Sequence, residues 1–467
     1  MRDAQIVVLN TCTVTQGADK DARATIRRLQ RENPGCRILV TGCYAQRAPE
    51  ELAALPGVTW VVGNSHKHQA AQIVTADTGF VPVSALDGRS EPNILVGDIF
   101  AHTELLAAPV FDAANERTRP NLKVQDGCDN RCSFCVIPYV RGQSRSLPME
   151  RVIREVQALV EAGYREVVIS GINLGRWGRD LPASIQHSAL SIQPPAHPHV
   201  PRSAGLGLAT SYQPQATFRE RRSTNDQRLI DLIRAILEQT PLEKLRISSV
   251  EPMDWTDELI DLMATSPRVA KHAHVPMQSA SDAVLRRMHR KYRPWHYREK
   301  ILRIRAAMPT AAIGADVMVG FPGESEAEFA ETRRMVEELP FTYLHVFTYS
   351  PRPGTPAADR NDQIPVRVAR ERNRILRELA AQKQAAFRQS LVGTVVNAIT
   401  LHAADDRFTE ALTDHYLKMR VVGKLQPNRW IQAYVDRGEE GVLVAHEPSA
   451  GQQTEVTRKV NSSQEED

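Results

Sequence analysis

Cys128, Cys132 and Cys135 stand in a C-x3-C-x2-C run, Gln125-Asp-Gly-Cys-Asp-Asn-Arg-Cys-Ser-Phe-Cys135. Three soft thiolates so close together suit three irons of a [4Fe–4S] cube and leave the last iron without a protein ligand. An iron left open in this way can bind a small molecule. Zinc is the plainer alternative, but a closed zinc site needs four ligands, commonly two spaced pairs. No Cys or His follows here at matching spacing.

Elements that would position this loop can be read around it. At 467 residues the chain is long enough for two to four domains. No apolar run is long enough to span a bilayer, and the N-terminus lacks a signal-peptide core, so a cytoplasmic protein without a membrane partner is expected. In that compartment six cysteines point to metal ligands rather than disulfides. The net charge of +4 is too small to argue for a nucleic-acid partner by itself.

The fold class expected is α/β. Residues 1–78 alternate strands (5–10, 37–41, 58–62) with helices, which implies a parallel sheet. Residues 79–118 show no sustained period and are assigned as a linker. From 119 to 388 a second series offers six strand candidates: Leu122–Gln125, Glu166–Ser170, Lys244–Ser248, His272–Pro276, Gly314–Val319 and Tyr343–Thr348. Six strand–helix repeats make a partial, open barrel with its chemistry at the C-terminal strand ends. Residues 181–225 interrupt this series with Pro-rich and Arg-rich sequence and are expected to be a disordered insertion. Residues 389–448 form a β-rich module with strands at 394–401, 417–422, 430–435 and 441–445, suggesting a small barrel, and 449–467 form a polar tail.

Cys12 and Cys43 each follow a strand of the first domain and so leave the same edge of a parallel sheet, where ligands of α/β folds gather. Cys36 precedes the strand that Cys43 follows. Seven residues at about 3.3 Å each put the two roughly 20 Å apart, so Cys36 is no partner for it.

In these motifs the chain resembles the radical S-adenosylmethionine methylthiotransferases. The resemblance rests on Asn10-Thr-Cys-Thr-Val-Thr15, Thr41-Gly-Cys-Tyr-Ala-Gln46, and Gly127-Cys through Cys135-Val-Ile-Pro-Tyr-Val-Arg-Gly142. It continues in Gly171-Ile-Asn-Leu-Gly175, Ser248-Ser-Val-Glu-Pro252, Pro276-Met-Gln-Ser279, Val319-Gly-Phe-Pro-Gly323 and Tyr349-Ser-Pro-Arg-Pro-Gly-Thr355. It implies a radical-SAM barrel, an RNA-binding TRAM-like domain at the C-terminus, S-adenosyl-L-methionine, and two [4Fe–4S] clusters. Cys128, Cys132 and Cys135 would hold the catalytic cluster, and Cys12 and Cys43 part of the other. The family's third ligand to that second cluster lies in a Gly-Cys-x-x-Asn segment ahead of these two. No such segment occurs here, so the first domain is expected to lack its opening unit and the second cluster to be incomplete.

The resemblance also implies a reaction. The details of the motifs look like the branch that adds a methylthio group to C2 of N6-threonylcarbamoyladenosine beside the tRNA anticodon. Two other branches act on isopentenyladenosine in tRNA or on a ribosomal-protein aspartate. An iron–sulfur RNA-binding protein without turnover is the non-enzymatic alternative. An electron donor and a sulfur source are implied but not identified. A radical cofactor suits an unactivated aromatic C–H, which no protein base can deprotonate.

Four further residues are candidates for cofactor contact at strand ends: Gly171, Asn173, Glu251 and Gln278, each also explicable as an ordinary turn or helix-start residue. Phe134 is expected only to pack. Asp316 sits in the apolar run Gly-Ala-Asp-Val-Met-Val, where a carboxylate is costly unless paired, so it must have a structural or a site partner. Residues 286–305 hold nine Lys/Arg against one acid, interleaved with Tyr292, Trp295 and Tyr297. This stretch, with Arg290, Lys291 and Arg293, is expected to grip the tRNA anticodon stem-loop by its phosphates and to stack on its bases. In the β-rich module only Lys418, Arg420, Lys424 and Arg429 read as a phosphate-contacting strip.

Overall fold

The computed structural model describes residues 4–76, 93–101, 105, 119–181, 228–403 and 405–448. The insertion expected at 181–225 and the tail at 449–467 fall almost wholly outside these residues.

The first domain is a parallel sheet in the order β1 (Ile6–Thr11), β2 (Arg37–Gly42), β3 (Val58–Val62) and β4 (Asn93–Leu95). β4 corrects the assignment of 79–118 as a linker, because residues 93–95 pair in parallel with β3. Three residues are too few to show a period, and the partner strand supplies the order. Helix Gln16–Glu32 starts at Thr15, whose hydroxyl accepts from the Ala18 N–H, and it buries Ile26 and Leu29. Two short helices, Cys43–Arg47 and Pro49–Ala53, complete the core with Tyr44, Ala45 and Leu52.

The second series has six parallel strands, as its repeats require, and a short antiparallel pair besides. β5 (Asn121–Lys123) is followed by a short antiparallel pair, β6 (Gln125–Asp126) and β7 (Arg145–Ser146), which brackets the cysteine loop. The series continues with β8 (Glu166–Ser170), β9 (Lys244–Ile247), β10 (His272–His274), β11 (Ala312–Val319) and β12 (Tyr343–Thr348). Two parallel sheets result, β5-β8-β9 and β10-β11-β12. Bridges Leu245–Val269 and Ser249–His274 join them into one open barrel.

Residues alternate across these strands. Ala273, Val275, Ile313, Ala315 and Val317 are buried against the surrounding helices, whose apolar faces include Val152, Val156, Ile233, Ile236, Ile301 and Ile304. Ser325 and Glu328 form a capping box that starts helix Glu326–Glu338. Among the described residues no helix is long and apolar enough to cross a membrane.

Helix Val366–Ser390 leads into a closed five-stranded barrel: β13 (Val395–Ala403), β14 (Phe408–Thr413), β15 (Lys418–Val422), β16 (Trp430–Glu439) and β17 (Val442–His446). Its order is β13-β14-β15-β17-β16. β14 is absent from the four strands read from sequence. This module packs on the N-terminal ends of the large barrel's strands. Arg246, salt-bridged to Glu166 at 2.6 Å, donates to the Asp414 carbonyl at 3.0 Å.

Candidate metal centres and the cavity beside them

The three-cysteine loop is shaped by close backbone packing. Gly127 has φ +71°, and a Cβ there would lie 1.8 Å from the Gln143 carbonyl oxygen, so no larger residue fits without moving the loop. Cys128 N–H donates to Gly142 O at 3.1 Å. Ser133 ties the loop to the far side of the barrel by donating from its N–H to Met288 O and from its hydroxyl to Arg287 O. Phe134 packs edge-on against Phe321, as expected.

Each sulfur has a donor beside it. Asn173 Nδ2 lies 3.6 Å from Cys128 Sγ, and an Arg290 N–H lies 3.4 Å from Cys132 Sγ. The Asn130 and Ile137 backbone N–H groups serve Cys128 and Cys135. Burial raises the Cys128 thiol pKa and pushes Cys135 up to about 12, and the neighbouring cysteines add to both effects. Such thiols ionise when a metal takes their protons' place. Three thiols on one short loop, each met by an N–H donor, fit an iron–sulfur cluster.

A cavity opens next to Cys132, lined among others by Arg176, Glu251, Arg290 and Lys291. An adjoining one includes Asn173, Ser144, Arg176 and Lys291. Asn173 and Glu251 thus come together with the cysteines. Burial raises the Glu251 carboxyl pKa, while its ion pair with Arg290 opposes that rise. Gly171 and Gln278 are not among the residues lining either cavity. The close neighbour of Gly171 is the Gln125 side chain, 2.7 Å from where a Cβ would sit. Gln278 has φ +61°, donates its N–H to Asp316 O at 2.8 Å, and leaves its buried side-chain oxygen unpartnered.

Two site residues escaped the sequence reading. Gln125 is fully buried and acts as a hub: its amide donates to the carbonyls of Asp126 and Gly127 and to the Ser144 hydroxyl, while its oxygen accepts from the Asn173 N–H at 2.8 Å. A buried Gln beside a cysteine motif was the available signal. Arg290 is the second, and it overturns the reading of 286–305 as an outward basic and aromatic face. Arg290 points inward to Cys132 and Glu251. Tyr292 and Tyr297 are 1% and 0% exposed, and their hydroxyls donate to the Met277 and Val275 carbonyls. They offer no stacking face. Trp295 alone of the three aromatics is exposed.

In the first domain Thr11 pairs with Gly42, so Cys12 and Cys43 leave adjacent strands at one edge. Cys36 is buried at the opposite end of β2, among Ile26 and Leu29. Cys43 packs against Val136 and Val140 of the cysteine-loop segment. Its sulfur accepts from Arg141 Nε at 3.2 Å and from Asn64 Nδ2 at 3.5 Å. Nearby, Lys67 donates to Asn10 Oδ1. The edge with Cys12 also faces the segment after β12: Arg352, buried, holds Asp19 at 2.6 Å and Thr13 at 2.8 Å. Donors of positive charge around Cys43 suit a thiolate or an anionic cluster.

Residues 1–63 match the uncharacterized protein family UPF0004, and residues 122–175 and 219–336 match the radical SAM superfamily. The chain is 36% identical over 420 residues to the threonylcarbamoyladenosine tRNA methylthiotransferase MtaB of Bacillus subtilis, covering 89% of this chain and 82% of that one. It is 32% identical to the protein of the same name from Aquifex aeolicus, covering 92% and 91%. A tRNA-2-methylthio-N(6)-dimethylallyladenosine synthase of Corynebacterium urealyticum is 33% identical, over 84% of this chain and 64% of that one. Among solved structures, the radical S-adenosylmethionine methyltransferase TsrM of Kitasatospora setae shares the fold, with TM-score 0.52 and 14% identity over 76% of this chain and 66% of that one. The chain belongs to the threonylcarbamoyladenosine tRNA methylthiotransferase family of radical SAM proteins.

Proposed function

We propose that this chain methylthiolates C2 of N6-threonylcarbamoyladenosine next to the anticodon of tRNA. What carries the reading is its 36% identity to a threonylcarbamoyladenosine tRNA methylthiotransferase across four-fifths of that protein. The Cys128, Cys132 and Cys135 loop at the strand C-termini supports it. These three cysteines would hold a [4Fe–4S] cluster, which when bound supplies the electron that cleaves S-adenosyl-L-methionine.

The chain's own residues have separate tasks. Asn173 and Arg290 stabilise the thiolates by donating to their sulfurs, charge-assisted in the case of Arg290. Glu251, facing the cavity, is placed to accept from an ammonium group, and Arg176 and Lys291 to receive a carboxylate. Gln125 holds Asn173 in place. Gly171 and Gln278 shape the strand ends rather than touch the cofactor. Cys12 and Cys43 supply two thiolates of a second [4Fe–4S] cluster, and Cys36 supplies none. An electron donor and a sulfur source complete the reaction, in the cytoplasm.

The test is nucleoside mass spectrometry of tRNA incubated with the anaerobically reconstituted protein, alongside a 5′-deoxyadenosine assay. The methylthio product is expected on threonylcarbamoyladenosine tRNA. Cys132→Ala should yield no 5′-deoxyadenosine, and unchanged production would overturn the assignment of the loop. Product only on isopentenyladenosine tRNA would move the chain to the other tRNA branch.

A further inference from the structure

Asp316, costly in an apolar strand unless partnered, has its partners on the two flanking strands. His274 on β10 lies with Nε2 3.2 Å from Asp316 Oδ1. His345 on β12 pairs in register with Asp316 across the ladder. One nitrogen of each imidazole and one carboxylate oxygen lie within 4.8 Å of one another. The His274 and His345 rings are 5.5 Å apart.

All three face the inside of the barrel. Their strand neighbours Ala273, Val275, Ala315 and Val317 belong to the outer apolar core, so His274 and Asp316 take the opposite face. β10 and β11 are interior strands and β12 is the edge strand. The side chains of His274 and Asp316 are 14% and 29% exposed and His345 is exposed. Solvent therefore reaches this part of the inner face.

The position has a floor and a roof. Below it, Tyr343 stacks on His272 with ring centroids 5.6 Å apart, and His272 meets Tyr416 of the C-terminal module. Arg119 lies over Tyr416 as well, with its buried Nε unpartnered. Above it, one strand repeat toward the C-terminal ends, Met318 packs with Phe134 of the cysteine loop. The triad is therefore the polar layer directly beneath the layer that carries the cysteine loop.

We propose that His274, Asp316 and His345 form the subsite that holds the ureido-linked substituent of the target adenine, a role that rests on the functional reading above. The chemistry matches group by group. A ureido N–H needs an acceptor, and the Asp316 carboxylate offers one, with His274 Nε2 3.2 Å from its Oδ1. A ureido carbonyl and a side-chain hydroxyl need donors, which the imidazoles supply. Partial withdrawal from water, with His274 beside it, lowers the His345 pKa although an edge of the ring stays exposed, favouring the neutral ring that both donates and accepts. The substituent's carboxylate would be repelled by Asp316 and directed to the cationic floor at Arg119. A site built to hydrogen-bond a substrate group rejects an analogue lacking that group far better than an apolar pocket does.

The experiment uses the full chain with clusters reconstituted, threonylcarbamoyladenosine tRNA, and the same tRNA with unmodified adenosine. Asp316→Asn, Asp316→Ala and His345→Ala should keep iron content and substrate-free 5′-deoxyadenosine formation within about twofold of the unaltered chain, which shows that they fold. Methylthio product per 5′-deoxyadenosine should fall by about tenfold or more, and the preference for modified over unmodified tRNA should shrink in parallel. Unchanged coupling and preference in Asp316→Ala would overturn the proposal. So would a stoichiometric divalent ion, beyond the cluster iron, that disappears in Asp316→Asn, since two imidazoles and a carboxylate also suit such a cation. If the unaltered chain modifies only another tRNA base, the functional reading fails and takes the named substituent with it. If the unaltered chain is active on threonylcarbamoyladenosine and the variants match it, the triad alone is refuted.

Discussion

Arg141 donates from Nε to the Cys43 sulfur at 3.2 Å, while its Nη1 holds both carboxylate oxygens of Asp126 at 3.2 Å. Asp126 is the residue two before Cys128, so one guanidinium joins the cysteine loop of the barrel to the sulfur-bearing edge of the first domain. Burial works against the Asp126 charge, but Arg141 and Lys123 together hold its carboxyl below the ordinary range. The link is thus an ion pair on one side and a charge-assisted contact to sulfur on the other. It fixes how far the two cysteine groups stand from each other, which sulfur insertion requires.

The Arg290–Glu251 pair should be costly to break from one side only. Both groups are largely withdrawn from water beside Cys132. Arg290→Met leaves Glu251, a quarter exposed at the cavity, without its nearest cation, a loss of about 1–3 kcal/mol. Adding Glu251→Gln to that variant should recover much of it. Urea unfolding of the two variants checks this, and equal destabilisation would show that the pair is not coupled. The salt dependence of tRNA binding should stay unchanged in both, because Arg290 is buried against Cys132 and Glu251.

Gly42 has φ +101°, and a Cβ there would lie 2.3 Å from the Thr11 carbonyl oxygen. That contact is backbone and cannot give way without parting β1 from β2 beside Cys12 and Cys43. Gly42→Ala should therefore lower iron at the first-domain edge and reduce methylthio transfer. Substrate-free 5′-deoxyadenosine formation should persist, since Cys128, Cys132 and Cys135 lie on the other domain. Iron counts alongside the 5′-deoxyadenosine assay separate the two effects, and parallel loss of both would refute the division.

Local punctuation decided what could be read from residues alone. β8 and β12 were legible to the residue, because apolar runs mark them. β14 was not, since Phe-Thr-Glu-Ala-Leu-Thr is held by two flanking strands, β13 and β15, rather than by its own pattern. The awkward position of Asp316 announced only that it needed a partner, and His274 on the neighbouring strand is one. Arg290 misled, because the carboxylate that turns it inward stands 39 residues earlier in the chain. No window of sequence contains that pair.

The four basic residues read as a strip on the C-terminal barrel lie at its surface. Lys418 and Arg420 alternate with buried Met419 and Val421 on β15, so both project from one exposed face, and Lys424 and Arg429 are exposed nearby. Replacing Lys418 and Arg420 with Ala should weaken tRNA binding and lessen its log–log salt slope by about 0.9 or less per lost contact. Binding measured across a salt series tests this. An unaltered slope would assign tRNA contact to another face.

His415 sits where the small barrel meets the large one, and it gives that junction a pH dependence. It is buried, its Nδ1 has no partner, and the edge of its ring meets Phe387 at 5.8 Å. Burial, with Arg246, Arg305 and Lys244 facing it, lowers its pKa to about 4, and Asp414 opposes them only in part. The unfolded chain binds the proton near pH 6.5, so between about pH 6.5 and 4 the unfolded state takes up more protons than the folded one. Its contribution is fully present above about pH 6.5 and is lost as pH falls toward 4, by roughly 3 kcal/mol at most, given about 1.4 kcal/mol per unit. His415→Gln removes this one titration and leaves the carboxylates in place. The difference in urea midpoint between the unaltered chain and His415→Gln should therefore shift steadily against the unaltered chain on acidification from about pH 7 to 4.5. A difference that stays flat across that range would mean the imidazole is already solvated and the junction is open.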